Sequence, residues 1–132
     1  YTNYETFGKK NSLIRPSQEY SFEKFINDTS ICTSTMIVKR EIVKDVEFTD
    51  TKICEDYYFK CKLLKVCNAY CLDDFLTKYR IRENSLQSNK WRNIYWIWKI
   101  NKKYNKFNFF NNFFSLLFIS LNSLKKYGLK NI

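Results

Sequence analysis

No histidine occurs in this 132-residue chain, and it holds only 2 glycines and 1 proline. Without histidine a mixed cysteine–histidine zinc site cannot be completed. The five cysteines, Cys32, Cys54, Cys61, Cys67 and Cys71, are odd in number and contain no C-x-x-C pair. They read as small buried residues in a reducing cytosol rather than as a disulfide or metal framework. With so few turn-formers, tight hairpins should be scarce and helices should make most connections. Also missing is an uninterrupted apolar run of about 18 residues, the length a spanning helix needs. The nearest approach, Phe107 to Leu124, is broken by Asn108, Asn111, Asn112 and Asn122. The chain opens directly on a strand-like run, Tyr1 to Phe7, with neither an initiator Met nor a signal-peptide pattern.

What is present points to one folded domain. Hydrophobic residues make up 45% and aromatics 19%, too apolar for a disordered chain. Against 13 acidic residues stand 23 Lys and Arg, a net charge of +10. Such an excess favours phosphate-bearing partners or an anionic membrane surface. No block of five like charges occurs, and the lysines lie between aromatics as on solvated helix faces.

Alternation in Tyr1–Phe7 predicts a strand closed by Gly8 and a lysine turn. Ser21 caps a short helix from Phe22 to Ile26. The β-branched run Thr33 to Val38 predicts a buried strand, and Glu41 to Val46 a short helix. Glu55 to Cys67 is the best central helix, with Asp56, Phe59, Leu63, Val66 and Cys67 on one face and Tyr58, Lys62 and Lys65 opposite. Tyr70–Asp73 and Phe75–Arg80 read as two short strands or one bent strand, and Arg82 to Asn89 as a polar loop. Two tail helices follow. Trp91, Ile94, Tyr95 and Trp98 form one apolar stripe, and Phe110, Phe113, Phe114, Leu117, Leu121 and Leu124 a second. Both stripes are expected to pack inward, with Lys125, Lys126 and Gly128 ending the last helix. The expected organisation is residues 1–89 as one part and 90–132 as a basic, aromatic-rich helical tail.

Asp56 stands out because it lies in the first turn of its helix yet on the apolar face. A carboxylate there can complement the free N–H groups of the helix start. It can equally line a cleft or pair with a cation, and spacing alone leaves these readings open.

Three motifs occur in order: Thr33-Ser34-Thr35-Met36-Ile37-Val38-Lys39-Arg40-Glu41, then Cys54-Glu55-Asp56-Tyr57, then Tyr79-Arg80-Ile81-Arg82-Glu83-Asn84-Ser85. Together, over Thr33 to Ser88, they resemble family 2 glycosyltransferases of GT-A type, in which T-S-x-M-x-x-R-R is followed by E-D-Y and then Y-R-x-H-x-x-S-x-S. The basic tail resembles the bacterial surface-polysaccharide branch. The resemblance implies an α/β (α+β) fragment, the acceptor-side half of an inverting enzyme. Asp56 would be the general base and Glu55 would support it or contact the acceptor. Thr33, Ser34 and Thr35 would border the acceptor cleft. Arg80, Arg82, Ser85 and Ser88 would close over the donor diphosphate, although an ordinary exposed loop accounts slightly better for the two serines.

Two departures qualify the resemblance. Arg82 stands where the family has histidine, and arginine neutralises phosphate but does not shuttle protons near pH 7. No D-x-D occurs, so this chain is expected to hold no cofactor; the divalent metal (Mg or Mn) of such enzymes would belong to a donor half upstream. Partners of the complete enzyme would be a nucleotide-sugar donor and a saccharide or lipid-linked acceptor. Its place would be cytoplasmic, at the inner face of the membrane, with peripheral contact through the tail. The isolated chain should expose a raw sheet edge and an apolar face and self-associate. The alternative is a non-catalytic basic module binding an anionic membrane surface or nucleic acid. Against nucleic acid, the tail aromatics fall on one face and no recognition motif is present.

Overall fold

The computed structural model describes residues 1–83, 85 and 88–127. Asn84 of the third motif and Gly128 of the proposed helix end lie outside the described residues. The architecture is mixed α/β, with a small sheet and C-terminal helices. Strand β1 (Thr2–Gly8) is central, paired antiparallel with β2 (Ser12–Ile14) and parallel with β5 (Leu72–Ile81). A parallel pair needs a long crossover, and here it contains the first three helices. Gly8 is required where β1 ends: its φ is +99° and an added Cβ would lie 2.6 Å from the Ile81 carbonyl oxygen. A second, two-stranded ribbon pairs β3 (Glu19–Tyr20) with β4 (Ala69–Tyr70).

Helix α1 (Phe22–Phe25) starts as expected, Ser21 Oγ accepting from the Lys24 amide. Where a buried strand was expected at Thr33–Val38, the chain makes a 3-10 turn at Thr33–Thr35 and then runs unpaired, with Ile37 93% exposed. Thr35 Oγ1 donates to the Cys32 carbonyl at 2.8 Å, a local bond that competes with pairing in a sheet. Short helix α2 (Arg40–Val43) leads to α3 (Glu55–Leu64), which begins after Cys54 in left-handed conformation.

The face of α3 differs from the expected one. Tyr57, Lys60, Cys61 and Leu64 are buried at helical spacing, whereas Val66 is 70% exposed beyond the helix end. Of the expected face, Leu63 is buried and Phe59 stacks on Phe48 at 4.2 Å. Tyr20, Phe25, Ile31, Tyr57 and Cys61 form one core with Ile97, Ile100 and Leu116 of the tail. All five cysteines are free, and Cys61 is wholly buried.

Helices α4 (Lys90–Lys103) and α5 (Phe109–Tyr127) occur where the sequence placed them, but turned about their axes. Of the expected α4 stripe, Ile94 and Trp98 pack against the core, but Trp91 is 83% and Tyr95 53% exposed, and the residues α4 buries most deeply are Ile97, Ile100 and Asn101. Of the expected inner stripe of α5, Phe110, Phe113, Phe114, Leu117 and Leu121 face out and Leu124 is half-buried; Asn112, Ser115 and Leu116 face in. Hydrogen bonding explains the rotation. Asn101 Oδ1 accepts from Tyr57 Oη at 2.8 Å and from Asn105 Nδ2 at 2.9 Å, and Asn101 Nδ2 donates to Asn112 Oδ1 at 3.1 Å. Asn112 Nδ2 donates to the Trp98 carbonyl, Ser115 Oγ to the Ile26 carbonyl, and Asn122 Nδ2 to the Asn27 carbonyl. Among the described residues no helix is long and apolar enough to cross a membrane.

This network predicts an asymmetry. Asn101→Leu removes the Asn101 acceptor from the Tyr57 hydroxyl and the Asn105 amide and leaves the buried Asn112 oxygen without its donor, and should cost about 3 kcal/mol in urea unfolding. Tyr57→Phe leaves Asn101 Oδ1 bonded to Asn105 and should cost about 1 kcal/mol. Equal, small effects would mean the network does not hold the helices.

Candidate active site

The start of α3 and the 3-10 turn come together through side chains 23 residues apart. Thr33 Oγ1 donates to Asp56 Oδ2 at 3.0 Å. One helical turn on, Lys60 reaches back, and its Nζ donates to Asp56 Oδ2 at 2.9 Å, to Thr33 Oγ1 at 3.1 Å and to the Ile31 carbonyl at 3.0 Å. The ammonium has three protons and three acceptors, which is how a residue only 4% exposed keeps a lysine inside. It also lies over the Phe25 ring, 5.7 Å from its centre.

Burial opposes a charged Asp56, but the Lys60 charge and the hydrogen bonds from Lys60, Thr33 and the Tyr57 amide outweigh it. They hold the carboxyl below its usual pKa. Asp56 is therefore an ionised carboxylate at neutral pH, its side chain 29% exposed. Next to it, burial and then the Asp56 and Glu55 charges push the Cys54 thiol up to about 12, so it is inert as a nucleophile. Arg92 at the start of α4 acts on the same thiol in the opposite direction, which brings a second cation within electrostatic reach of the α3 start.

The other site candidates are distributed unevenly. Glu55 is exposed at the first position of α3, and Ser34 is exposed on the turn. Thr35 is 5% exposed and points inward to the Cys32 carbonyl. Arg80 ends β5 with its guanidinium over the Phe7 ring at 5.4 Å, and Arg82 is exposed just beyond. Ser88 Oγ donates to the Ser85 carbonyl at 2.7 Å. Among the described residues no hydrogen bond or ion pair joins these four to Asp56.

Two shallow depressions lie elsewhere, one lined by Glu5, Phe7, Leu13 and Lys78 and the other by Asp45, Glu47, Asp50 and Tyr58. Neither is lined by Asp56 or Thr33. A divalent metal, Mg or Mn, finds no ligand set here, since among the described residues no three His, Cys, Asp or Glu are grouped to hold one.

Lys60 is the residue that sequence reading missed. Its spacing of four from Asp56 is the signal that could have found it, because a carboxylate preceding a lysine by one turn is the favoured helical ion-pair order. Lysines read as solvated by default, which hid it.

No protein-family profile matches the chain, and no solved structure matches it. Among curated proteins it is 23% identical over 115 residues to TuaG of Bacillus subtilis (strain 168), provisionally assigned as a glycosyltransferase of teichuronic acid biosynthesis. The match covers 86% of this chain and 46% of TuaG, so the chain spans about half the length of that relative. A stretch that long in a chain of 132 residues necessarily includes Thr33 to Ser88. The chain is a distant homologue of this glycosyltransferase.

The ion pair sets two expectations. In Lys60→Met, burial acts on Asp56 with its main counter-charge gone, so the carboxyl pKa should rise above the ordinary value of about 3.9, as read by carboxyl-carbon NMR titration. The wild-type pKa is lower folded than unfolded, so the pair's stabilisation is full above about pH 4 and is lost as pH falls through the folded value. Urea stability measured across that acid range should fall less steeply in Asp56→Asn than in the wild type. A carboxyl unchanged by Lys60→Met would show that the pair does not form.

Proposed function

We propose that this chain is the acceptor-side, C-terminal half of an inverting family 2 glycosyltransferase with a GT-A fold, and that Asp56 is its general base. The observation that carries the reading is the Thr33–Asp56 hydrogen bond. It joins the first two of three motifs that sequence comparison alone put in order, at the residue to which the resemblance gives the chemistry. Distant homology to TuaG over the same stretch supports the reaction class.

In the complete enzyme the acceptor hydroxyl enters at the Asp56 carboxylate, whose Oδ2 is held by Thr33 and Lys60. As its oxygen attacks the anomeric carbon, its proton passes to the Asp56 carboxylate. The bond from that carbon to the diphosphate oxygen breaks on the opposite face, which inverts the configuration and releases a nucleoside diphosphate. Lys60 and Thr33 fix the carboxylate's direction, so little reorganisation is needed at the moment of transfer. A base with a lowered pKa is fully ionised at pH 7 but a weaker proton acceptor. Glu55, Ser34 and Thr35 belong to the acceptor side, Glu55 and Ser34 by contact and Thr35 by closing the turn that carries Thr33. Arg80, Arg82, Ser85 and Ser88 serve the departing diphosphate, Arg82 by charge alone.

The donor half, with its divalent metal, would pack against the sheet. The outer edge of β5 has no strand partner among the described residues, and Leu72 and Leu76 are 55% and 68% exposed on it. That is the uncovered surface a half-fold leaves, and it is where the isolated chain would self-associate. The complete enzyme would work at the cytoplasmic face of the membrane, with a saccharide or lipid-linked acceptor for surface polysaccharide.

The test uses two substitutions in the complete enzyme, because Asp56 also balances a buried lysine. Asp56→Asn alone should lower turnover by ~100-fold or more. It should also cost about 3 kcal/mol, since it leaves the Lys60 charge uncompensated. Adding Lys60→Met removes that stranded charge and should restore stability in urea unfolding while turnover stays low. A double variant that recovers both would make Asp56 a counter-ion only and overturn the catalytic assignment.

A further inference from the structure

Helix α5 turns its most apolar face to solvent. Phe110, Phe113, Phe114, Leu117, Phe118 and Leu121 recur at spacings of three and four and are between 41% and 69% exposed. Aromatic side chains of about 200 Å² each, half uncovered, make a patch of roughly 500 Å², at the upper limit for soluble monomers. The inner face of the same helix is closed by the asparagine–serine network, so rotation cannot hide the stripe without stranding those groups.

Charge identifies what covers it. The first 83 residues carry 14 Lys and Arg against 13 Asp and Glu, so they are close to neutral. The remaining 49 residues hold 9 Lys and Arg and no carboxylate side chain at all. Cations stand at both ends of the stripe. Lys102, Lys103 and Lys106 precede it, and Lys125, four residues after Leu121 and on the same face, follows it; all four are exposed. A second copy laid along the stripe would set the lysines at its ends against one another. A nucleic acid would need cations, not phenylalanine, along the middle of the face.

We infer that α5 is an in-plane docking helix for an anionic lipid bilayer, its Phe/Leu stripe inserted among the acyl chains and its terminal lysines on the headgroups. At 19 residues and with no spanning character, it lies in the interface rather than crossing it. Trp91 and Tyr95, exposed on α4 with Lys99 over the Tyr95 ring at 4.8 Å, are residue types that favour the same interfacial depth. This inference is independent of the transferase reading, since lipid binding needs neither donor nor acceptor.

Flotation with vesicles tests it. The protein should float with phosphatidylcholine vesicles containing about one third phosphatidylglycerol, and not with phosphatidylcholine alone. Binding should weaken as salt is raised from about 0.05 M to about 0.5 M. Phe113→Ser with Phe114→Ser should reduce binding at least about tenfold while urea stability holds, because neither ring belongs to the core. Failure to float, equal binding to neutral vesicles, or retained binding in the double variant would each overturn it. So would a dimer in light scattering that those two substitutions dissolve, or binding to duplex nucleic acid that replaces binding to vesicles.

Discussion

Lys60, Asn101 and Asn112 are side chains that water would solvate well, and all three sit inside this molecule. Keeping each of them hydrogen-bonded is the constraint from which the rest of the arrangement follows. An ammonium or amide taken out of water without partners costs more than a typical core methylene gains, so the chain folds around their needs. Lys60 draws the Ile31 carbonyl, Thr33 and Asp56 to one point; Asn101 draws α3, α4 and α5 to another.

The two clusters meet on α3, through Lys60 and Tyr57, and support each other. Tyr57, one residue after Asp56, stacks on Phe25 at 5.6 Å and donates to Asn101. The tail therefore fixes the rotation of α3, and that rotation sets which way Asp56 and Lys60 point. Residues 90–127 are in this sense part of what holds the carboxylate, through packing rather than through contact with it. Lys60 in turn makes Asp56 both ionised and directed, two properties a base needs, at the cost of some basicity.

The same constraint explains one of the molecule's two uncovered apolar surfaces, the α5 stripe, and the two surfaces differ in kind. On β5 the exposed leucines lie beside an unpaired strand edge, a surface that another part of a sheet completes. On α5 the phenylalanines lie on a helix, whose backbone groups bond along its own axis, with lysines before and after the stripe in sequence. The first suits a protein domain and the second a lipid face.

Most elements were readable from the sequence because they rest on local physics, the exception being Thr33–Val38, where a 3-10 turn stands in place of the expected strand. The Ser21 cap, the glycine that ends β1, the carboxylates opening the central helix and the two tail helices all follow from spacing and from residues within one turn. The Thr33-to-Asp56 association was readable as motif order, though not as a bond. Which way the helices face was decided only in three dimensions. In α5 the apolar residues form the wider stripe, so period and hydrophobicity assign that stripe to the core and Asn112, Ser115 and Asn122 to water. Their partners, Trp98, Ile26 and Asn27, are 14 to 95 residues away in sequence. Lys60 hid for the same reason, since one of its acceptors is a carbonyl 29 residues earlier. A polar side chain goes inside when distant backbone and side-chain groups converge on it, and that convergence exists only once the chain has folded.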